Sequence, residues 1–161
     1  MSKKDKGKKE AKGPAHIQNR KARYDYEIVD SHEAGMVLQG SEVKSLYLGR
    51  ANLTDSYVRV VGSELWVINL DIEPYTHSSH YQHERRRDRK LLMHRKEIEL
   101  LHRKAQEKGF ALIPLRIYFN DRGRAKVEVG LGRGKKQYDK REAIAERETK
   151  REIERHRDGR D

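Results

Sequence analysis

Cysteine is absent from the 161 residues, which excludes disulfides, zinc knuckles and thiol catalysis and suits a reducing compartment. Phenylalanine, tryptophan and methionine are scarce too, at two, one and three residues. Apolar residues make up 34% of the chain against 39% charged, so a core must be concentrated in part of it. No segment approaches the roughly 20 consecutive apolar residues that a bilayer-spanning helix needs. The lysine-rich residues 1–12 lead into no apolar stretch of the signal-peptide kind. A basic amphipathic helix with a broad aromatic or leucine face is also missing, which argues against a membrane surface as partner. These absences predict a soluble, cytoplasmic chain of one domain with appendages.

Cationic charge is what the chain has in excess. Lys and Arg number 37 against 26 Asp and Glu, a formal net charge of +11. That is more than solubility asks for, and its natural partner is a polyanion, nucleic acid first. Residues 1–18 carry Lys3, Lys4, Lys6, Lys8, Lys9 and Lys12 with almost no apolar content, which predicts a disordered basic arm. Order is expected from Asn19 onward.

Between residues 19 and 131 the patterning is that of a small β protein. Tyr24, Tyr26 and Ile28 alternate on one face of a first strand, and residues 35–38 form a second. Ser41 is placed to cap a short helix near 41–48 that Gly49 ends. Residues 56–61 and 64–70, joined at Gly62-Ser63, read as an antiparallel hairpin. Residues 73–90 read as a long polar loop. The best helix covers residues 94–108, with His94 at its N-cap, Ile98, Leu101 and Ala105 on one face, and Gly109 as its stop. Ile113, Leu115, Ile117 and Phe119 alternate into the turn Asn120-Asp121-Arg122-Gly123, and Val127, Val129 and Leu131 alternate back. Pro114 has no amide hydrogen to donate and belongs at an edge or a bulge. Six short strands with inserted helices predict a mostly β fold, a small closed antiparallel barrel of the oligonucleotide-binding type.

Residues 132–161 differ in kind. Gly132-Arg133-Gly134-Lys135-Lys136-Gln137-Tyr138-Asp139-Lys140-Arg141 reads as a basic hinge with one aromatic ring. Asp139 with Glu142 has the logic of a capping box, so a helix can start there. Its large aliphatics, Ile144 and Ile153, are nine residues apart and fall on opposite sides of a helix. With no apolar stripe to dock, such a helix needs a partner to become ordered. Tyr138 among cations is suited to stacking on an unpaired base while the cations meet phosphates.

Catalytic and metal chemistry find little support. His77, His80 and His83 have neither helical nor strand spacing for shared ligation, and no carboxylate cluster completes them. Glu42, Asp55 and Asp71 lie on different elements, which does not suggest a metal-dependent nuclease. The P-loop spacing is absent. A binding protein without cofactor or metal is expected.

Several segments together resemble the SmpB family, the SsrA-binding proteins. They are Asn19-Arg20-Lys21-Ala22-Arg23-Tyr24-Asp25-Tyr26, Glu33-Ala34-Gly35, Gly40-Ser41-Glu42-Val43-Lys44-Ser45-Leu46 and Ala51-Asn52-Leu53-Thr54-Asp55-Ser56-Tyr57. Arg89-Lys90-Leu91-Leu92-Met93-His94 and the run from Arg133 to Arg141 continue the likeness in family order. The resemblance implies a barrel that binds the tRNA-like part of transfer-messenger RNA, as a monomer on the RNA. It also implies trans-translation, in which the complex enters the vacant A site of a stalled ribosome and the tail turns helical in the empty mRNA channel. By position, Asn19, Arg20, Glu33, Leu92 and Lys126 match the family's RNA-contacting surface. Lys135, Lys136, Tyr138, Asp139, Lys140 and Arg141 match the segment that meets the decoding centre. A carboxylate such as Glu33 can accept hydrogen bonds from base amino groups. Pattern alone does not decide whether Leu92 is core or surface. Tyr47 stands where the family usually has arginine, Arg85 where it has proline, and Tyr138 where some relatives have histidine. The rival reading is an initiation-factor-like barrel that binds the ribosome without transfer-messenger RNA.

Overall fold

The computed structural model describes residues 14–75 and 83–158. In chain order the elements are β1 (Ile17–Gln18), α1 (Arg20–Asp25), β2 (Tyr26–Met36), α2 (Gly40–Tyr47), β3 (Ala51–Asn52), β4 (Tyr57–Val61) and β5 (Glu64–Ile68). Then come β6 (Asp71–Ile72), β7 (Arg89–Leu92), α3 (Arg95–Lys108), β8 (Ala111–Phe119), β9 (Ala125–Gly134) and α4 (Lys135–Asp158). Seven strands form one antiparallel sheet in the order β1-β8-β9-β2-β7-β5-β4, and β3 pairs with β6 in a small second sheet. Both long hairpins follow the sequence pattern: Gly62 takes φ 63° between β4 and β5, and Gly123 takes φ 72° between β8 and β9. α3 is capped where expected, with Gly109 left-handed at φ 64°.

The fold is mostly antiparallel β with a few helices, but the ladder among the described residues does not close into a barrel. β4 is at one end of the order and β8 lies one strand in from the other. Near that end, Asn19 ties β8 to Leu53, in the segment between β3 and β4. Its side-chain amide donates to Pro114 O at 2.9 Å and to Leu53 O at 3.3 Å, while its carbonyl oxygen accepts from Ala22 N–H at 3.1 Å and caps α1. Order also begins earlier than Asn19. Ile17 and Gln18 pair with Ile117 and Arg116, and Ala15 N–H donates to Tyr47 O.

Where local propensity and tertiary pairing disagree, pairing decides. The first predicted strand is α1 up to Asp25, which leaves Tyr24 79% exposed, and the first two strand segments merge into the single β2. Ser41 lies inside α2 rather than capping it; Glu42 accepts from Gln39 N–H at 2.9 Å across the helix start. The alternation predicted for β8 breaks at a bulge between Pro114 and Arg116. Ile117 therefore joins the main core, with Leu46, Leu65, Leu91, Leu101 and Val129 among others, whereas Ile113 and Leu115 turn to the opposite face. There they form a second cluster with Ala22 beneath α1. Gly130 makes this possible, since a Cβ at that position would sit 2.8 Å from Leu115 Cδ1.

The predicted polar loop over residues 73–90 is anchored by a buried ionic group. Arg89 is fully buried and donates to the Glu42 carboxylate, to Leu70 O at 2.6 Å, to Arg85 O at 3.1 Å and to Glu84 O at 3.3 Å. Arg87 reaches the other oxygen of Glu42 at 2.5 Å. Burial works against ionisation of Glu42, but the Gln39 N–H and the two guanidiniums outweigh it and hold its pKa below the usual glutamate range. His83, also buried, bonds Ser41 Oγ and Ile72 O, each at 2.9 Å. His77 and His80 lie outside the described residues.

At the C-terminal end, no separate hinge intervenes. Gly132 and Gly134 still pair with Ile28 and Tyr26, and Lys135 opens α4 directly. Asp139, expected as the cap, falls within α4. The side chains described along its outer half, residues 147–157, are all exposed, and Ile153 is 59% so. No helix among the described residues is long and apolar enough to cross a membrane.

Candidate RNA-binding surface

The outer face of β2 carries the candidate site. Gly35 on β2 pairs with Leu92 of β7 on one side and with Lys126 of β9 on the other. Leu92 is 54% exposed while its neighbour Leu91 is core, which resolves what the Leu91-Leu92-Met93 run left open. A Cβ at residue 35 would stand 3.3 Å from Leu92 Cβ, so glycine keeps a groove open there. The groove, about 320 Å³, is lined by residues that include Gly35, Met36, Val43, Leu92, Arg124 and Lys126.

Two residues along β2, Glu33 faces Glu128 across the ladder. Like charges directly opposite repel, so each carboxylate needs its own partner. β8 supplies both. Tyr118 O–H donates to Glu33, and Arg116 Nε donates to Glu128 at 2.5 Å. Lys126 Nζ adds an ion pair to Glu33 at 4.0 Å. The Arg116 guanidinium also lies over the Tyr118 ring, 4.4 Å from its centroid, and the His16 ring stacks with the Tyr118 ring at a centroid distance of 6.5 Å. Burial and the hydrogen bond to the Glu33 carboxylate push the Tyr118 phenol up to about 12, so it stays protonated and is the donor. Glu128 remains ionised; burial opposes this, but Arg116 overrides it and lowers the pKa.

The structure thus brings together Glu33, Leu92 and Lys126. Arg20 is exposed on α1, over the second cluster, and Asn19 is 2% exposed with its amide engaged internally. Of the tail residues, Lys135 donates to Arg23 O at 3.1 Å, a cation at the C-terminal end of α1. The side chains of Lys136, Tyr138, Asp139, Lys140 and Arg141 lie outside the described residues. Sequence reasoning missed Tyr118 and Arg116. Alternation with Ile117 turns both outward, but only the β8–β9–β2 register reveals that they meet Glu33 and Glu128. Among the described residues, no group of three or more His, Asp or Glu side chains could hold a metal ion.

The SmpB protein family model matches residues 16–158. The chain belongs to the SmpB family. It is 57% identical over 138 residues to the SsrA-binding protein of Desulforudis audaxviator, covering 86% of this chain and 90% of that one. Against the SsrA-binding protein of Thermobifida fusca it is 53% identical over 154 residues, covering 95% and 93%. A chain in the solved structure "tmRNA-SmpB: a journey to the center of the bacterial ribosome" superposes with a TM-score of 0.64 at 49% identity, covering 74% of this chain and 83% of that one. The SmpB match includes every element from β1 to α4, so the groove at Gly35 and the root of α4 both lie within the family's extent.

Proposed function

We propose that this chain binds the tRNA-like part of transfer-messenger RNA and carries it to the A site of stalled ribosomes, enabling trans-translation. The observation that carries this reading is the family membership over residues 16–158, together with a neighbour whose description pairs SmpB with tmRNA and the ribosome. The groove at Gly35 supports it physically: an exposed apolar side chain, a cation and an anchored carboxylate, inside a chain of net charge +11.

In this reading the sheet works as an oligonucleotide-binding-type barrel over residues 19–131, with Asn19 tying β8 to the segment ahead of β4. Glu33, Leu92 and Lys126 touch RNA directly; Asn19 orients α1 so that Arg20 can meet phosphate. Residues 1–18 add non-specific phosphate attraction. The tail, residues 132–161, enters the vacant mRNA channel and keeps its helix only there, with Lys135, Lys136, Tyr138, Asp139, Lys140 and Arg141 at the decoding centre. The side chains described over residues 147–157 are exposed, which supports ordering by a partner. The protein acts in the cytoplasm as a binding protein, with no catalytic step of its own.

The test is a pair of titrations at the same moderate salt, one with an isolated tRNA-like domain and one with an unrelated duplex of equal length. Much tighter binding to the tRNA-like domain is expected. Equal affinity overturns the reading and leaves a basic ribosome-binding module.

A further inference from the structure

The strand register places Tyr118 in a role that exposure or charge alone would not suggest. Glu33 is an odd residue for an RNA surface, being an anion, 54% exposed, that faces a second anion, Glu128. Left to itself its side chain would rotate freely or swing away from the repulsion. The phenol of Tyr118 meets one oxygen of Glu33, Oε2, while Lys126 approaches the other, Oε1. The ring that carries the phenol is fixed in turn. It lies on β8 opposite Lys126, with the Arg116 guanidinium against one part and the His16 ring stacked nearby. Arg116 is itself held by Glu128. A chain of contacts therefore runs from Glu128 through Arg116 and Tyr118 to Glu33, all on the face that carries the groove.

We propose that Tyr118 is a positioning residue for RNA recognition, fixing the Glu33 carboxylate so that its remaining lone pairs face the N–H edge of an unpaired base lying on Leu92 and Gly35. This rests on the surface reading above. A carboxylate accepts from base amino and imino groups and offers nothing to a phosphate, so its contribution is selectivity and not bulk attraction. An ionised oxygen that already accepts from a phenol still has lone pairs free, and a carboxylate restrained beforehand loses less freedom on binding.

The experiment is a double-mutant cycle on the full-length protein with Glu33→Gln and Tyr118→Phe, binding an isolated tRNA-like domain. Tyr118→Phe removes only the hydroxyl, so the ring contacts with Arg116 and His16 persist. Glu33→Gln keeps an acceptor for Tyr118 but replaces one carboxylate oxygen with a donor. Glu33→Gln should weaken binding about tenfold or more and Tyr118→Phe several-fold, while the double variant binds no worse than Glu33→Gln alone. Neither change removes a phosphate contact, so the slope of log K against log salt should match the wild type, whereas Lys126→Ala should reduce that slope by about one. Unchanged melting temperatures in the same samples exclude a loss of fold. Full additivity of the two substitutions, or a Tyr118→Phe protein that binds like wild type while Glu33→Gln does not, overturns the positioning role. If Glu33→Gln itself leaves affinity and selectivity intact, the surface reading fails instead.

Discussion

Replacing Arg89 by leucine tests how β7 is held in place. Arg89 and Glu42 are both fully buried, and the guanidinium donates to that carboxylate and to three backbone carbonyls, of Leu70, Glu84 and Arg85. Arg89→Leu strands a buried carboxylate with Arg87 as its only remaining cation among the described residues and leaves those carbonyls unanswered. Removing one partner of a buried pair costs about 3–5 kcal/mol, far more than a surface pair. For a chain of this length that corresponds to a fall in melting temperature on the order of 10 °C. The companion variant, Glu42→Leu with Arg89→Leu, removes both charges; Arg87, 30% exposed, can then turn to solvent. The double variant should recover a large part of the loss, because two apolar side chains carry no desolvation cost. Thermal and urea unfolding of the three proteins supply the comparison. A single variant within about 1 kcal/mol of wild type, or a double variant less stable than the single, refutes the argument. Because Leu92 lies three residues along β7, the single variant should also bind a tRNA-like RNA more weakly.

Gly130→Ala should destabilise by about 1–3 kcal/mol in urea unfolding, since its Cβ would press on Leu115 at the junction of α1 and the sheet. Stability should fall on acidification below about pH 4.3, the usual glutamate value. The sign is set by Glu42 and Glu128, whose folded-state pKa values are depressed: their contribution is complete above the unfolded value and is lost as pH drops through the folded one. Urea midpoints at pH 7 and pH 3.5 check this, and Arg89→Leu should blunt the difference. Limited proteolysis of the free protein should cut first within residues 139–157, with protection on stalled ribosomes; a tail equally resistant in both states contradicts partner-dependent order.

Much of the architecture is legible in the sequence. Glycine turns, the α3 caps and the alternation of β9 are local signals, and the structure repeats them. Legibility stopped where one segment's conformation depends on another far along the chain. Tyr24 continues the alternation of Tyr26 and Ile28, yet it lies in α1, because Asn19 caps that helix and Ala22 packs on Ile113 and Leu115, ninety residues later. β7 lies in a stretch dense with cations, and its burial depends on Glu42, invisible in a window around residue 89. The site divided the same way. Lys126 could be turned outward from Val127 by alternation alone. The place of Leu92 needed its pairing with Gly35, and the role of Tyr118 needed the β8–β9–β2 register.

The most direct measurement is a truncation after Gly134, which keeps β9 paired to β2 through its last residue and removes α4. The same preparation is assayed for binding to transfer-messenger RNA and for tagging of nascent chains on stalled ribosomes. Near-normal RNA binding with tagging abolished is the predicted result if, as proposed above, the groove at Gly35 meets RNA and the tail acts on the ribosome. Tagging that survives the truncation, or RNA binding lost together with the tail, would contradict the division of labour between sheet and tail.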